Sequence, residues 1–251
     1  MRPNGLWDIW ARGEAANNCW LNIPSPYVAE LIAHQGWDSA TIDLQHGMIS
    51  MSDAYAMLTA LSTTDCVPLV RVPWNEPGTI MRALDAGAYG IIAPMINNRE
   101  EAVAFVGACR YAPDGYRSVG PNRAVLCAGS DYLDKANRTV LTIAMIETVE
   151  AMANLEAICT TPGLDAVLVG PSDLGLSMGK EAKSNQTDPD VVNAINHILE
   201  TAKKAGKKAA IFNSNIDYAK QMAEKGFDLV TVASDTAMIK AGAGLVRAMK
   251  G

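Results

Sequence analysis

The sequence predicts a (β/α)8 barrel in which a helix precedes the first strand. Eight short apolar or β-branched runs alternate with eight helical segments along 251 residues, a typical length for this fold. Cap residues, prolines and glycines separate the segments at regular intervals. Hydrophobic residues make up 49% of the chain and charged residues 19%, so one large core can form. We expect residues 1–251 to be a single domain; a doubly wound open sheet is the alternative.

The predicted strands are short, rich in β-branched or apolar residues, and bounded by turn residues. In chain order they span residues 19–23, 40–45, 68–73, 90–95, 140–147, 166–169, 209–212 and 229–233. An amphipathic segment around Trp7 and Trp10 precedes them and is the expected first helix. In such a barrel the strands are parallel, and enzymes place their active sites at the carboxyl ends of the strands.

The predicted helices are recognised by their caps, because Ser, Thr, Asn and Asp favour the first position and glycine favours the end. Their expected starts are Ser25-Pro26, Ser52, Pro77, Asn98, Thr148, Asp188-Pro189, Asn213 or Ser214, and Ser234 or Asp235. One connection, residues 111–138, is unusually long and rich in proline and glycine. Because it comes after the fourth strand, we expect it at the active-site face.

The charge and the cysteines exclude several classes of protein. The 27 acidic residues outnumber the 21 basic ones and give a net charge of −6, which argues against nucleic acid or an anionic membrane as a partner. Five scattered cysteines form no C-x-x-C pair, as is typical of reduced thiols. No apolar run has the length of a membrane span or the pattern of a signal peptide. We therefore expect a cytoplasmic protein.

Arg71 is the first candidate functional residue. It lies in the third predicted strand between Val70 and Val72, so alternation directs it into the barrel if the valines face the helices. A guanidinium in the interior needs anionic partners, and it could bind a carboxylate or an enolate oxygen. The alternative is an ion pair that only fills the barrel, although such pairs seldom add net stability.

Two carboxylates follow neighbouring strands. Glu147 ends the fifth predicted strand, and Asp173 follows the sixth, one β/α unit later. Sites for Mg²⁺ commonly use one or two carboxylates and leave the other positions to water and substrate oxygens. The alternatives are an acid at a helix N-terminus for Glu147 and a turn-forming residue for Asp173.

His46 is the candidate base, because it lies just past the second predicted strand and its imidazole can titrate near neutral pH. Strict alternation would place it opposite Asp43 and Gln45, so the strand must end or bulge there. His34 and His197 are expected on the surfaces of helices.

Two kinds of chemistry are disfavoured by what the strands do not contain. No lysine falls inside a predicted strand, whereas a Schiff-base aldolase needs one buried in the barrel. No P-loop occurs, and the Gly-Ala-Gly at 242–244 lies within the last helix, so nucleotide-binding fingerprints are absent from the sequence. Metal-assisted carbonyl chemistry is the class that remains.

Five segments together resemble one known family. They are Ile-Asp-Leu-Gln-His-Gly at 42–47, Val-Arg-Val-Pro at 70–73, Leu-Asp-Ala-Gly-Ala-Tyr-Gly-Ile-Ile-Ala-Pro at 84–94, Met-Ile-Glu-Thr at 145–148 and Val-Gly-Pro-Ser-Asp-Leu at 169–174. On these motifs the chain resembles, over nearly its whole length, the HpcH/HpaI aldolases. These are class II pyruvate aldolases that cleave 4-hydroxy-2-oxo acids.

The resemblance implies a homo-oligomeric barrel, a hexamer or trimer, acting on small 2-oxo acids and aldehydes in aromatic or sugar acid catabolism. It implies a divalent cation, Mg²⁺, Mn²⁺, Co²⁺ or Zn²⁺, and roles for individual residues. Glu147 and Asp173 would hold the cation, Arg71 would contact the keto oxygen, and His46 would be a base oriented by Asp85. The segment from Gly170, with the amides of Ser172 and Asp173, would bind the pyruvate carboxylate.

Two positions depart from the family pattern, and three other functions stay open. Gln45 stands where many members have glutamate, and Met145 stands where many have glutamine. Substrate preference is expected to depend on both.

The alternatives to an aldolase are an acyl-CoA lyase of the malyl-CoA or citryl-CoA type, an oxaloacetate decarboxylase, and a catalytically silent barrel that binds 2-oxo acids.

Overall fold

The computed structural model describes residues 1–250 and contains a closed barrel of eight parallel strands. Each strand pairs with the next along the chain, and the eighth pairs with the first. The strands are β1 (Ala16–Leu21), β2 (Ser39–Asp43), β3 (Val67–Arg71), β4 (Gly90–Ala93), β5 (Leu141–Ile146), β6 (Ala166–Val169), β7 (Lys208–Ile211) and β8 (Leu229–Ser234). The predicted fold class is confirmed.

Helices surround the barrel. They are α1 (Gly5–Ala11), α2 (Pro26–Ala33), α3 (Met51–Leu61), α4 (Pro77–Asp85), α5 (Arg99–Cys109), α6 (Asn122–Ala128), α7 (Tyr132–Thr139), α8 (Val149–Ala153), α9 (Leu155–Cys159), α10 (Pro171–Ser177), α11 (Pro189–Lys204), α12 (Ile216–Lys225), α13 (Asp235–Ala241) and α14 (Ala243–Lys250). None of the helices within residues 1–250 is long and apolar enough to cross a membrane.

Most of the predicted helix starts agree with the structure, two differ, and one predicted helix is divided. Ser50 rather than Ser52 caps α3, because the side chains and backbones of Ser50 and Asp53 form a reciprocal capping box. Asn215 caps α12, since its side chain accepts a hydrogen bond from the amide of Tyr218. The helix expected after Thr148 is interrupted at Asn154 and forms two short helices.

The barrel interior follows the two-residue alternation of its strands. Leu69 packs inside with side chains from the other strands, and Val70 packs outside against the helices. Asp43 pairs in register with Arg71 on the neighbouring strand, so their side chains leave the sheet on the same inner face. The interior orientation predicted for Arg71 is therefore confirmed.

The long connection 111–138 lies at the opposite end of the barrel from its predicted place. Helix α5 first returns the chain to the amino-terminal ends of the strands, and only then does the connection begin. Its Tyr111 packs in one cluster with Leu6 and Trp10 of α1, and the carbonyl of Ala128 accepts a hydrogen bond from the amide of Arg2. The connection and α1 together close the amino-terminal end. The prediction that it borders the active-site face was wrong.

Candidate active site

A cavity of about 630 Å³ opens at the carboxyl ends of the strands. Every strand except β4 contributes to its wall, either directly or through the residues that follow the strand. The wall consists of Trp20, Asn22, Ile23, Pro24, Asp43, His46, Met48, Arg71, Met145, Gly170, Pro171, Ser172, Asp173, Phe212, Ser234, Thr236 and Lys240. This volume is in the range of sites that hold small organic ligands.

Arg71 is held in the cavity wall by an ion pair with Asp43. Its Nε and Nη2 donate to the two carboxylate oxygens at 2.9 and 2.6 Å. The side chain of Asp43 is 1% exposed and that of Arg71 11%, so the pair is little screened by water. The guanidinium also lies over the ring of Trp20, 5.0 Å from its centroid, and the indole Nε1 donates to Asp43. The in-plane hydrogen bonds to Asp43 and the stacking on Trp20 together fix the orientation of the guanidinium.

The remaining guanidinium nitrogen of Arg71, Nη1, has only a weak hydrogen-bond acceptor beside it. Its Nη1 lies 4.0 Å from the thioether sulfur of Met145, a side chain that is 2% exposed. A thioether accepts hydrogen bonds poorly. The Nη1 donor can therefore turn to a ligand oxygen in the cavity.

The same carboxylate also fixes the turn that carries His46. Strand β2 ends at Asp43, and the amides of Gln45 and His46 donate to Asp43 Oδ1 at 3.0 and 3.2 Å. This turn breaks the alternation of the strand, so the exposed His46 side chain lines the cavity together with Asp43. The strand ends at the point where the sequence required an end or a bulge.

Asp43 is an anion in the folded protein. Burial acts against its charge, but the hydrogen bond and the positive charge of Arg71, with Trp20 and the amide of His46, lower the pKa of the carboxyl below its usual value. One ionised carboxylate thereby positions both the guanidinium and the turn that carries the imidazole.

Replacing Asp43 with asparagine should disturb both groups at once. We expect kcat/KM to fall at least about tenfold and the free energy of unfolding to fall by about 3 kcal/mol, because Arg71 keeps its buried charge without a counter-ion. Urea unfolding and steady-state kinetics measure the two effects.

Asp165→Asn is the matched control, since Asp165, a half-buried residue at the amino-terminal end of the barrel, pairs at 2.7 Å with the buried Arg110. It should lose comparable stability and keep its kcat/KM. Equal activity losses in the two variants would show that Asp43 acts only on stability.

Glu147 lies behind the cavity wall at the end of β5 and is 4% exposed. Its Oε1 accepts a hydrogen bond from the amide of Met95 at 2.8 Å. Burial raises the pKa of the carboxyl to about 7, and the negative charge of Asp173 adds to the rise, while the Met95 amide and Arg71 oppose it. Such a raised pKa marks a carboxylate that lacks a compensating positive charge.

Asp173 approaches Glu147 from the next strand. It lies in the first turn of α10, is exposed, and lines the cavity. Gly170, three residues before Asp173, lies against Glu147: a Cβ atom at residue 170 would come within 2.4 Å of Glu147 Oε2. Only glycine leaves room for the carboxylate at this position.

The two carboxylates fit a hard divalent cation. Glu147 Oε2 has no hydrogen-bond partner within residues 1–250, and the charge of Asp173 is close enough to perturb its proton affinity. No group of three or more His, Cys, Asp and Glu side chains capable of binding a metal occurs in that part of the chain. A cation held here would take only two protein ligands and keep positions for water and substrate, as Mg²⁺ commonly does.

Gly170, Ser172 and Asp173 lie together where β6 meets α10, as expected for residues that bind one ligand group. Asp85 does not join them. It ends α4 at the amino-terminal end of the barrel, where its carboxylate accepts a hydrogen bond from Arg117 at 2.7 Å. Within one chain the implied contact between Asp85 and His46 is not made, because α4 carries residue 85 away from the carboxyl ends of the strands.

Four residues of this site were not predicted from the sequence: Trp20, Asp43, Phe212 and Lys240. Asp43 could have been found, since it alternates onto the inner face of β2 beside Arg71. The two aromatic rings meet edge to face, with centroids 5.2 Å apart, and no local motif announces that contact.

A closed barrel with an arginine, a histidine and two carboxylates at the carboxyl ends of its strands is typical of an enzyme of the (β/α)8 class. The sequence profile of the HpcH/HpaI aldolase/citrate lyase family matches residues 17–241. A hydroxypyruvate/pyruvate aldolase from Rhizorhabdus wittichii is 43% identical over 240 residues, which cover 96% of each chain.

A 4-hydroxy-2-oxo-heptane-1,7-dioate aldolase from Salmonella dublin is 35% identical over 251 residues, covering 99% of this chain and 95% of the relative. The crystal structure of an HpcH/HpaI aldolase/citrate lyase family protein from Burkholderia cenocepacia J2315 matches with a TM-score of 0.91 at 32% identity, covering 99% of this chain and 100% of that one. The chain belongs to the HpcH/HpaI aldolase/citrate lyase family. The family and the carbon–carbon lyase class expected from the sequence are confirmed.

Proposed function

We propose that this protein is a divalent-metal-dependent aldolase that reversibly cleaves a 4-hydroxy-2-oxo acid into pyruvate, or a close 2-oxo acid, and an aldehyde. The observation that carries the proposal is the arrangement of one fixed guanidinium and two coupled carboxylates around a cavity that also receives an imidazole. The names of the relatives from Rhizorhabdus wittichii and Salmonella dublin support the same substrate class. A homo-oligomer, hexameric or trimeric, and a cytoplasmic location are part of the proposal.

The acid end of the substrate would lie at the ends of β5 and β6, with its 2-oxo group toward β3. The backbone amides of Ser172 and Asp173 would bind its carboxylate. Both amides lie in the first turn of α10, where helix amides have no carbonyl acceptor within the helix. The 2-oxo oxygen would then face Nη1 of Arg71. A cation held by Glu147 and Asp173 would supply Lewis-acid polarisation of the same oxo group.

Arg71 would stabilise negative charge on the oxo oxygen as the substrate becomes an enolate. Because Asp43 and Trp20 already fix the guanidinium, little reorganisation is needed when the charge develops. His46 would take the proton from the 4-hydroxyl during cleavage, directly or through water, as the C3–C4 bond breaks and the aldehyde forms. In synthesis His46 would take a proton from the methyl group of pyruvate, directly or through water, and give it to the new hydroxyl.

Metal-dependent release of pyruvate tests the proposal. Pyruvate is measured with lactate dehydrogenase across a set of 4-hydroxy-2-oxo acids, with Mg²⁺, Mn²⁺, Co²⁺ or Zn²⁺ added to chelator-treated protein. We expect activity that appears with the metal and is lost with the chelator. Full activity without metal would refute the metal-dependent mechanism, and no activity on any substrate would favour the silent barrel. Oxaloacetate decarboxylation should appear as a side activity, because it passes through the same enolate.

Replacing His46 with alanine should slow deuterium exchange into the methyl group of pyruvate at least about tenfold, because general-base catalysis typically contributes that much or more. Proton NMR in D₂O follows the exchange. His197→Ala is the control, since His197 is exposed on α11 away from the cavity. Unchanged exchange in the His46 variant would remove it from the role of base.

An acyl-CoA substrate is less well supported by the cavity. The phosphates of such a substrate require several cations. Arg71 and Lys240 are the Arg and Lys side chains that line the cavity, and Arg71 is already paired with Asp43. The charges around the cavity therefore favour a substrate with one or two acidic groups.

A further inference from the structure

The cavity has a second wall, which the proposed acid-binding residues do not use. Ser234 at the end of β8, with Thr236 and Lys240 of α13, lines this side. In the closed ring of eight strands β8 neighbours β1, and β1 lies opposite β5, the strand that leads to Glu147. A ligand whose acid end lies at the ends of β5 and β6 can extend across the cavity toward the side where β8 and β1 end.

A buried carboxylate fixes the position of this wall. Asp235 is 2% exposed, and its Oδ2 accepts hydrogen bonds from the amides of Asn22 and Ile23, both at 2.9 Å. Those amides belong to the loop after β1, so the start of α13 is tied to it. Ser234 caps the helix by accepting from the amide of Ala237. Residues on the first turns of α13 are consequently held beside the cavity.

Lys240 gives this wall a positive charge without an internal counter-ion. It is exposed at the edge of the cavity and forms no ion pair or side-chain hydrogen bond with any other residue from 1 to 250. The other basic side chain that lines the cavity, Arg71, forms an ion pair with Asp43. In a protein of net charge −6, an unmatched cation at the mouth of a cavity attracts anionic ligands selectively.

We propose that Lys240 is a specificity-determining residue that binds an anionic group, a carboxylate or a phosphate, at the far end of the aldehyde substrate. The inference rests on the proposed aldolase function and adds the chemical class of the second reactant. A volume of about 630 Å³ leaves room for more than a three-carbon acid. The hydroxyl groups of Ser234 and Thr236, which lie 3.1 Å apart, can share the binding of the anion.

The test compares matched charged and neutral aldehydes in the synthesis direction with pyruvate. The carboxylate pair is 4-oxobutanoate and its methyl ester, and the phosphate pair is glyceraldehyde 3-phosphate and glyceraldehyde. For each pair the selectivity is the ratio of kcat/KM for the charged aldehyde to kcat/KM for the neutral one. Lys240→Met keeps most of the side-chain length and removes the charge, whereas Lys240→Arg keeps the charge. Lys220→Met removes the charge of an exposed lysine on α12 and is the matched control.

We expect Lys240→Met to lower the selectivity at least about fivefold for one of the two pairs, mainly through KM, because a charge-assisted hydrogen bond at a partly hydrated site is lost. Lys240→Arg should retain it within about twofold, and Lys220→Met should not change it. The pair that responds identifies the anion as a carboxylate or a phosphate. Unchanged selectivity in Lys240→Met for both pairs overturns the proposal.

The proposed function is checked separately in the same preparation. Wild-type protein is assayed for metal-dependent exchange of the methyl protons of pyruvate, a reaction that needs no aldehyde. Absence of exchange counts against the aldolase function itself. Exchange together with unchanged selectivity in Lys240→Met counts against the role of Lys240 alone.

Discussion

Replacing Arg71 with alanine should lower kcat/KM for pyruvate release by at least about 100-fold, which corresponds to about 2.7 kcal/mol at the transition state. The guanidinium uses Nε and Nη2 to hold Asp43, and Nη1 stands beside the weakly accepting sulfur of Met145. That nitrogen is the donor best placed to face an oxo oxygen whose charge grows during the reaction. Its interaction therefore strengthens in the transition state, so kcat should fall with kcat/KM.

A second variant separates this effect from unfolding. Arg71→Ala leaves Asp43 as a buried anion, which costs stability. Arg71→Lys keeps a cation beside Asp43 but cannot form the fork and also reach the oxo oxygen, so it should stay folded and still lose at least about 30-fold in kcat/KM. Steady-state kinetics on both variants, with circular dichroism at the assay temperature, make the measurement. Activity within threefold of wild type in Arg71→Lys would contradict the assigned role.

Replacing Glu147 with glutamine should lower kcat/KM at least about 100-fold and weaken binding of Mn²⁺ by a similar factor, because one of two anionic ligands is lost. The same change should make the metal-free protein more stable above neutral pH. Titration calorimetry with Mn²⁺ and urea unfolding in chelator at pH 5 and pH 8 measure the two effects.

The pH dependence follows from the pKa of Glu147. In the folded protein this pKa is raised to about 7, above its ordinary value of 4.5, so the folded state binds the proton more tightly than the unfolded state. The associated stability is fully present below pH 4.5 and is lost as the pH rises through 7. Glutamine resembles the neutral acid at every pH, so the variant should exceed the wild type by up to about 3 kcal/mol at pH 8.

Glu156→Gln is the matched control, because Glu156 is exposed on α9. It should change neither Mn²⁺ binding nor the dependence of stability on pH. Tight Mn²⁺ binding by the Glu147 variant, or a stability difference that is equal at pH 5 and pH 8, would show that Glu147 is neither a ligand nor a destabilised buried acid.

The barrel itself could be predicted from the sequence because strands and helices differ in their periodicity and are separated by caps. Alternation alone directed Arg71 inward, and the register of β2 with β3 confirms it. The neighbouring positions of Glu147 and Asp173 followed from strand order, since consecutive parallel strands end side by side.

Features that depend on three-dimensional packing could not be predicted. The place of the connection 111–138 depends on α5 returning the chain to the amino-terminal end before the connection begins. The position of Asp85 depends in the same way on the direction of α4. The hydrogen bonds from the amides of Gln45 and His46 to Asp43 form because β2 ends at Asp43 and a turn begins at the next residue. The periodicity of the sequence does not resolve that boundary.

The close approach at Gly170 limits how the enzyme can be redesigned. Any side chain there would displace Glu147, whose Oε2 and Cβ lie 2.4 and 3.0 Å from the position of a Cβ atom. The nearest other neighbour is the terminal methyl group of Met145, at 3.2 Å, which belongs to a flexible side chain. Directed evolution toward 2-oxo acids larger than pyruvate would therefore have to change Met145 first and keep glycine at residue 170.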